Sequence, residues 1–181
     1  MRPFEVLQGR SEASRLGGVG RGLAAGVAGT AVMTVVQTLA GRLQASAADS
    51  GGGEQPPQAE PADPWETAPA PAKVAQRIAA GVFHRPIPAD RIPAVTNIMH
   101  WAYGTGWGAV YGLLTATRDT STVQQGAAFG LGVWAMSYVE LVPMGLYDLP
   151  WTYPPQDIAL EVSYHVAYGA ATSIAYAVLD G

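Results

Sequence analysis

The sequence predicts an all-α membrane protein with four transmembrane helices in two pseudo-symmetric pairs, plus a short interfacial helix. Four stretches of about 18 to 26 residues contain no Asp, Glu, Lys or Arg. At a rise of about 1.5 Å per residue, such a helix crosses a hydrocarbon core of roughly 30 Å. A soluble surface helix would carry charge on its solvent face every few residues. The alternative is a soluble bundle unusually rich in Ala and Gly.

A repeated motif divides the chain into two related halves. The motif is His-x-x-Tyr-Gly-x6-Tyr, and its two copies begin at His100 and His165. The apolar stretch before each copy also carries a shared pattern, which begins at Gly29 and at Gly132. With two helices in each half, the halves run in the same direction through the membrane. The repeat therefore predicts a pseudo-twofold axis along the membrane normal.

The first half begins with a basic segment, residues 1–21, which has four arginines and two glutamates. By the positive-inside rule, this segment is cytoplasmic and precedes transmembrane helix 1 at 22–43. The external loop, residues 44–91, contains a Gly- and Pro-rich part, 45–72, that is too polar to bury a core and is predicted to be disordered. Residues 73–83 follow as an amphipathic interfacial helix.

The second predicted span covers residues 92–117, and a short connection at Arg118–Ser121 joins it to the third, 120–142, as a tight hairpin. The external loop 143–156 contains aromatic and acidic residues but no Lys or Arg. Aromatic side chains of this kind settle at the headgroup level. The fourth span, 157–180, then returns the chain, so that both termini are cytoplasmic.

Glycines spaced four residues apart predict the faces through which the helices pack. Small residues allow close backbone contact, which lipid-embedded helices need because lipid offers no hydrophobic drive between them. The packing glycines are Gly22, Gly26, Gly104, Gly108, Gly112, Gly126 and Gly130. The lipid bilayer is the expected partner. Surplus glycine stripes also favour a homo-oligomer or a larger membrane complex.

Polar side chains inside the predicted spans are the candidate functional residues, because an ionisable group in hydrocarbon is costly and usually faces inward. His100 and His165 are predicted to lie at matching depths and to face each other. The predicted polar cluster or relay consists of His100, His165, Glu140, Glu161, Gln37, Asp157, Tyr103 and Tyr168.

Three interpretations of this cluster remain open, and none assigns a catalytic residue. The polar groups can fix helix register as part of a structural or accessory bundle. They can form a proton or small-solute pathway, since histidine exchanges protons near neutral pH. As a third interpretation, His100 and His165 can ligate a haem b from opposite sides, or Glu161, His165 and Glu140 can hold a metal.

Several other classes of function are excluded by composition. The chain has no cysteine, which removes disulfides, thiolate metal sites and cysteine nucleophiles. A net charge of −4 makes no basic groove, so nucleic acid is not an expected partner. The chain contains no phosphate loop, dinucleotide fingerprint, HExxH or GxSxG motif.

Short motifs in the second half carry a resemblance to a known family. These are Gln125-Gly126, Pro143-Met144-Gly145-Leu146 and Asp148-Leu149-Pro150-Trp151, with Glu161 and His165 downstream. Together with Gly22–Val27 in the first span, they resemble the YagU-like family of uncharacterised bacterial inner-membrane proteins. The resemblance implies a multi-pass helical protein of the bacterial inner membrane, with a loose association with acid tolerance. It implies no catalytic residues, and the first external loop departs from the family in length and content.

Overall fold

The described residues form an all-helical structure. The computed structural model describes residues 3–50, 63–115 and 123–181, with side chains in the first helix from residue 16 to residue 48. Within these residues there are five helices and no strands, which confirms the predicted all-α class. The helices are α1 (Pro3–Ser50), α2 (Ala70–Val82), α3 (Ile92–Thr115), α4 (Val123–Leu141) and α5 (Pro155–Asp180).

The first helix is much longer than predicted. It forms one continuous helix of 48 residues, Pro3–Ser50, instead of a separate segment 1–21 and a span at 22–43. Alanine recurs through the end of this helix, and alanine has the highest helix propensity, so the helix continues beyond residue 43. The prediction of disorder over 45–72 is wrong at both ends, because residues 45–50 and 70–72 are helical. Residues 51–62 lie outside the described residues.

Proline and an acidic residue define where the later helices begin. The helices α2 and α5 each have a proline in the first turn, where the missing N–H has no helical partner to lose. Asp157 also lies in the first turn of α5, where its charge favours the positive end of the helix dipole. A 3-10 turn at Ala89–Arg91 leads into α3, and another at Pro150–Thr152 precedes α5.

The helix α1 lies at the centre of the arrangement. It packs closely against both α3 and α5, while α4 packs against α5 and α2 packs against α3. The backbones of α3 and α4 stay further apart, and aromatic rings fill the space between them. Phe129 of α4 lies 5.0 Å from Tyr111 and 6.1 Å from Trp107 of α3, measured between ring centroids. The predicted hairpin connection, Arg118–Ser121, lies outside the described residues.

The two halves depart from exact twofold symmetry. Each half contains one close helix pair, α1 with α3 and α4 with α5. An exact twofold would also make the approach of α1 to α5 equal to that of α4 to α3, but only the first of these is close.

Glycines form the contacts within each close pair. A Cβ atom placed at Gly26 would lie 2.8 Å from both the Gly104 carbonyl oxygen and the Gly108 Cα, so only glycine fits there. On the other side of the bundle, Gly126 and Gly130 of α4 meet the backbone of α5 around Gly169 in the same way. Gly22 and Gly112 extend the α1–α3 contact toward the end of α3. Every predicted packing glycine therefore lies against a neighbouring helix.

The interior of the bundle is small or polar, and its exterior is aliphatic. No leucine or isoleucine among the described residues is buried, whereas leucines and valines on all the long helices are exposed. The buried side chains include four tyrosines and four hydroxyl residues: Tyr111, Tyr138, Tyr168, Tyr176, Thr30, Thr115, Thr172 and Ser173. This distribution is the reverse of that in a water-soluble domain, where leucine and isoleucine are among the most buried residues.

One helical segment of the described residues, Leu16–Ala48, is long and apolar enough to cross a membrane by length and composition. The other three predicted spans are interrupted by glycine and by less apolar aromatic residues. In α3, for example, two Trp, two Tyr and one His stand among four glycines.

We predict that Gly108→Ala destabilises the fold and that Gly106→Ala, two residues away on α3, does not. A Cβ at Gly108 overlaps the backbone of Gly22 and Gly26, which cannot move independently, whereas a Cβ at Gly106 meets nothing within 4 Å. Overpacking of this kind costs about 1–3 kcal/mol, while alanine at an open helical site gains up to about 1 kcal/mol. Thermal unfolding of the purified variants, followed by circular dichroism, measures the difference. Equal melting temperatures for the two variants would contradict the packing shown here.

Candidate functional site

Two tyrosine–glutamate pairs lie at one end of the bundle, where α3 and α5 begin; we call this the loop end. The Tyr103 hydroxyl donates a hydrogen bond to Glu140 Oε2 at 3.0 Å and thereby joins α3 to α4. The Tyr138 hydroxyl donates to Glu161 Oε2 at 3.1 Å and joins α4 to α5. The two pairs together link α3, α4 and α5. Hydrogen bonds to a charged acceptor are stronger than those between neutral groups, so these links are strong ones.

His100 is held by a threonine on α1, and the contact fixes its tautomer. Its Nε2 lies 3.3 Å from Thr34 Oγ1, and Thr34 Oγ1 donates its single proton to the Thr30 carbonyl oxygen at 2.8 Å. The threonine oxygen can therefore only accept from the ring, and His100 carries its proton on Nε2. The other ring nitrogen, Nδ1, is then a hydrogen-bond acceptor.

His165 uses the opposite ring nitrogen. Its Nδ1 lies 2.8 Å from the Glu161 carbonyl oxygen, which can only accept, so the proton is on Nδ1. The two imidazoles are close enough for their charges to interact. Each ring is nevertheless anchored to a different helix, His100 to α1 and His165 to its own α5.

The other predicted site residues do not form one cluster. Gln37 lies with His100 on a groove beside α2. Tyr168 is buried in the interior, where its hydroxyl donates to the Gly104 carbonyl oxygen at 2.6 Å. Asp157 is exposed in the first turn of α5. The predicted residues are therefore divided among several places, which include the groove, the two tyrosine–glutamate pairs at the loop end and the buried Tyr168.

Three residues with a part in these contacts were missed by sequence reasoning: Thr34, Tyr138 and Tyr147. Thr34 belongs to the repeated pattern that begins at Gly29, and its place in that pattern is the sequence signal that could have identified it. Tyr138 stands two residues before Glu140, which turns it toward α5 while Glu140 meets α3. Tyr147 lies in the loop between α4 and α5, with its ring 5.3 Å from that of Tyr138.

Tyr147, in the loop between α4 and α5, has a raised pKa. Burial is the largest cause that raises the pKa of Tyr147 to about 12. Electrostatic repulsion from Glu161, and then from Tyr153, adds to this shift. Tyr153 is part of the same loop, and its hydroxyl accepts a hydrogen bond from the Asp148 N–H at 2.9 Å. The loop is therefore folded onto the tyrosine–glutamate pairs.

The opposite end of the bundle, where α5 ends, is closed by an ion pair and aromatic rings. Arg21 Nη2 lies 2.9 Å from Asp180 Oδ1, and the guanidinium stands 5.8 Å from the centroid of the Tyr176 ring. Tyr176 in turn packs against Tyr111 at 5.6 Å between centroids. With Phe129, these rings form an aromatic layer between this end and the histidines.

The geometry does not fit a haem held between the two histidines. His100 Nε2, the usual ligating atom, is engaged with Thr34, and aromatic side chains fill the space between α3 and α4. In the part of the chain that the structure describes, no three His, Asp or Glu side chains come together to hold a metal ion.

Comparison with protein-family models, curated proteins and solved structures finds no match to this chain. The resemblance to the YagU-like family therefore stays a prediction that rests on its short motifs.

We predict that Tyr147→Phe removes a tyrosine titration near pH 12. A pKa raised from its usual value of about 10 means that the folded state holds the proton more tightly than the unfolded state does. Its contribution to stability is fully present below about pH 10 and is lost as the pH rises toward 12. Absorbance at the phenolate band and melting temperature, both followed from pH 9 to 12.5, test this. If the variant and the parent protein lose stability equally over that range, the shift is not at Tyr147.

Proposed function

We propose that this protein is a four-span helix bundle of the bacterial inner membrane, with α2 at the membrane surface and both termini in the cytoplasm, and that it acts as a structural or accessory module. The observation that carries the proposal is the reversed polarity of the bundle, with hydroxyl and tyrosine side chains inside and aliphatic side chains outside.

The exposed aliphatic surface supports a lipid environment. Val27 on α1, Leu131 on α4 and Ile174 on α5 are 44%, 41% and 52% exposed, each within the charge-free stretch of its helix. In water, each Å² of such surface costs about 25 cal/mol relative to burial, and contiguous patches of it drive aggregation. Against acyl chains the cost vanishes. Lipid also favours interfaces of small and hydroxyl residues, as in the interior of this bundle.

The charged side chains of the bundle support the same orientation in a membrane. Arg21 and Asp180 pair at one end, and Glu140, Asp157 and Glu161 lie at the loop end. The helix α3 has no charged residue at all. A band without charge therefore lies between the two ends, as a bilayer requires.

The use of the polar groups supports a structural role. His100 contacts α1, Tyr103 bonds to α4, and Tyr138 bonds to α5. Tyr168 of α5 bonds to the backbone of α3. Each of these groups thus connects its own helix to another one, and hydrogen bonds between membrane helices of this kind contribute about 0.6–2 kcal/mol each. A module fixed in this way presents a rigid aliphatic surface to larger membrane partners or to a second copy.

A second candidate function is a proton or small-solute pathway. The loop end favours it, because Glu140 and Glu161 lie there and the two histidines are close enough for their charges to interact. The aromatic layer of Tyr111, Phe129 and Tyr176 separates these groups from the cytoplasmic end, so a pathway requires the layer to open.

We predict that single cysteines at lipid-facing positions resist a water-soluble maleimide. The chain has no native cysteine, so each engineered thiol is the only one. In sealed membranes, Leu131→Cys and Ile174→Cys should react at least about tenfold more slowly than Trp151→Cys, because the reactive thiolate requires water. All three positions are exposed in the structure, at 41%, 52% and 75%.

Labelling after solubilisation in SDS is the control, and all three variants should then react fully. If Leu131→Cys reacts as fast as Trp151→Cys in native membranes, the helix surface faces water and the membrane proposal fails.

For the second candidate, we predict that His165→Ala does not change proton leak in liposomes. His165 is bonded to the backbone of its own helix, and the aromatic layer remains closed in the variant. Quenching of a pH-sensitive dye enclosed in proteoliposomes, with Phe129→Ala as the variant that opens the layer, gives the measurement. A leak that Phe129→Ala raises and the added His165→Ala abolishes would instead establish the pathway.

A further inference from the structure

An open groove of ≈ 590 Å³ lies beside the start of α2, bounded by α1 and the first turns of α3. Its size falls within the range of about 300–1,000 Å³ that is usual for small-molecule sites. The lining residues are Gln37, Pro69, Pro71, Ile92, Pro93, Thr96, Asn97 and His100.

Three polar groups on this groove have unused hydrogen-bonding capacity. The amides of Gln37 and Asn97 have no hydrogen-bond partner among the described residues. His100 donates from Nε2 to Thr34, so its Nδ1 stays an acceptor with no partner in the described part of the chain. Gln37, Asn97 and His100 all line this one concave surface, and a few polar groups on a largely apolar pocket are typical of a ligand site.

The chemistry of these groups defines the ligand. None of the described residues that line the groove is charged, so a phosphate or carboxylate would lack a cation among them. The amides both donate and accept, whereas Nδ1 of His100 only accepts. A hydroxyl group satisfies both requirements, because it donates to the imidazole and accepts from an amide.

The walls of the groove and its neighbour α2 indicate where the rest of the ligand lies. Three prolines and Ile92 provide an apolar wall. The amphipathic helix α2 leads away from the groove and exposes Ile78 and Val82, and exposed Phe83 follows at its end, which suits insertion among acyl chains. A ligand with a polar head in the groove can therefore keep its chains in the adjacent membrane.

We propose that the groove binds the uncharged, hydroxyl-bearing headgroup of a membrane lipid, and that Gln37, Asn97 and His100 recognise it. This inference rests on the proposed membrane location. It assigns a ligand to the half of the bundle that carries α2.

Lipid selectivity tests the proposal. The full chain is reconstituted in vesicles containing equal amounts of a monoglucosyl diacylglycerol, phosphatidylethanolamine and phosphatidylglycerol, then extracted gently and weighed by native mass spectrometry. We expect the glucosyl lipid to be retained preferentially. Asn97→Leu, Gln37→Leu and His100→Phe should each reduce its retention roughly 3- to 10-fold, the value of one hydrogen bond.

His165→Phe is the matched control, because His165 occupies the same place in the repeat and does not line the groove. Asn97 is exposed and has no described partner, so Asn97→Leu keeps the test valid if the other variants unfold. The proposal is overturned if all three lipids are retained equally, if His165→Phe acts like His100→Phe, or if free glucose alone displaces the lipid. A chain that never enters the membrane fraction refutes the proposed function instead.

Discussion

The arrangement of the bundle depends on direct backbone contact between helices at glycine. Where Gly26 meets Gly104 and Gly108, no side chain separates α1 from α3. Such contacts replace the interlocking leucines of a soluble core with dispersion forces between main chains. They also bring the polar side chains within reach of the next helix. The contact between His100 and Thr34 occurs one turn beyond the glycine contact, on the same two helices.

The two halves carry different residue types at matching positions of α1 and α4. In the repeated pattern, Gly29 corresponds to Gly132, and Gly26 therefore corresponds to Phe129. A Cβ at Gly29 would lie 2.8 Å from the Tyr168 carbonyl oxygen, so this glycine brings α1 against α5. A Cβ at Gly132 would meet nothing within 4 Å, and Phe129 fills the space between α4 and α3 with a ring. Backbone contact therefore joins α1 to α5 at Gly29, whereas an aromatic ring occupies the space between α3 and α4.

The presence of Phe129 at the position of Gly26 also bears on how much of the structure could be predicted from the sequence. Charge-free stretches and glycine spacing are local signals; the first predicted the helical class, and the second selected glycines that lie in the contacts but not Gly29 or Gly169. Whether Gln37 and Glu140 meet depends on the rotation of each helix about its own axis. A repeated pattern does not fix that rotation when Phe129 stands in place of a glycine. The tyrosine–glutamate pairs, which join helices across the bundle, were therefore beyond prediction from spacing.

The two histidines show how a duplicated residue acquires two environments. His165 faces the side of the bundle where the loop with Tyr147 and Tyr153 folds over Glu161. His100 faces the side of the insertion, whose prolines line a groove instead of filling it. The insertion exists only in the first half, so this groove is built partly from a segment that the second half lacks. The loops, which do not belong to the repeat, therefore give the two imidazoles different neighbours.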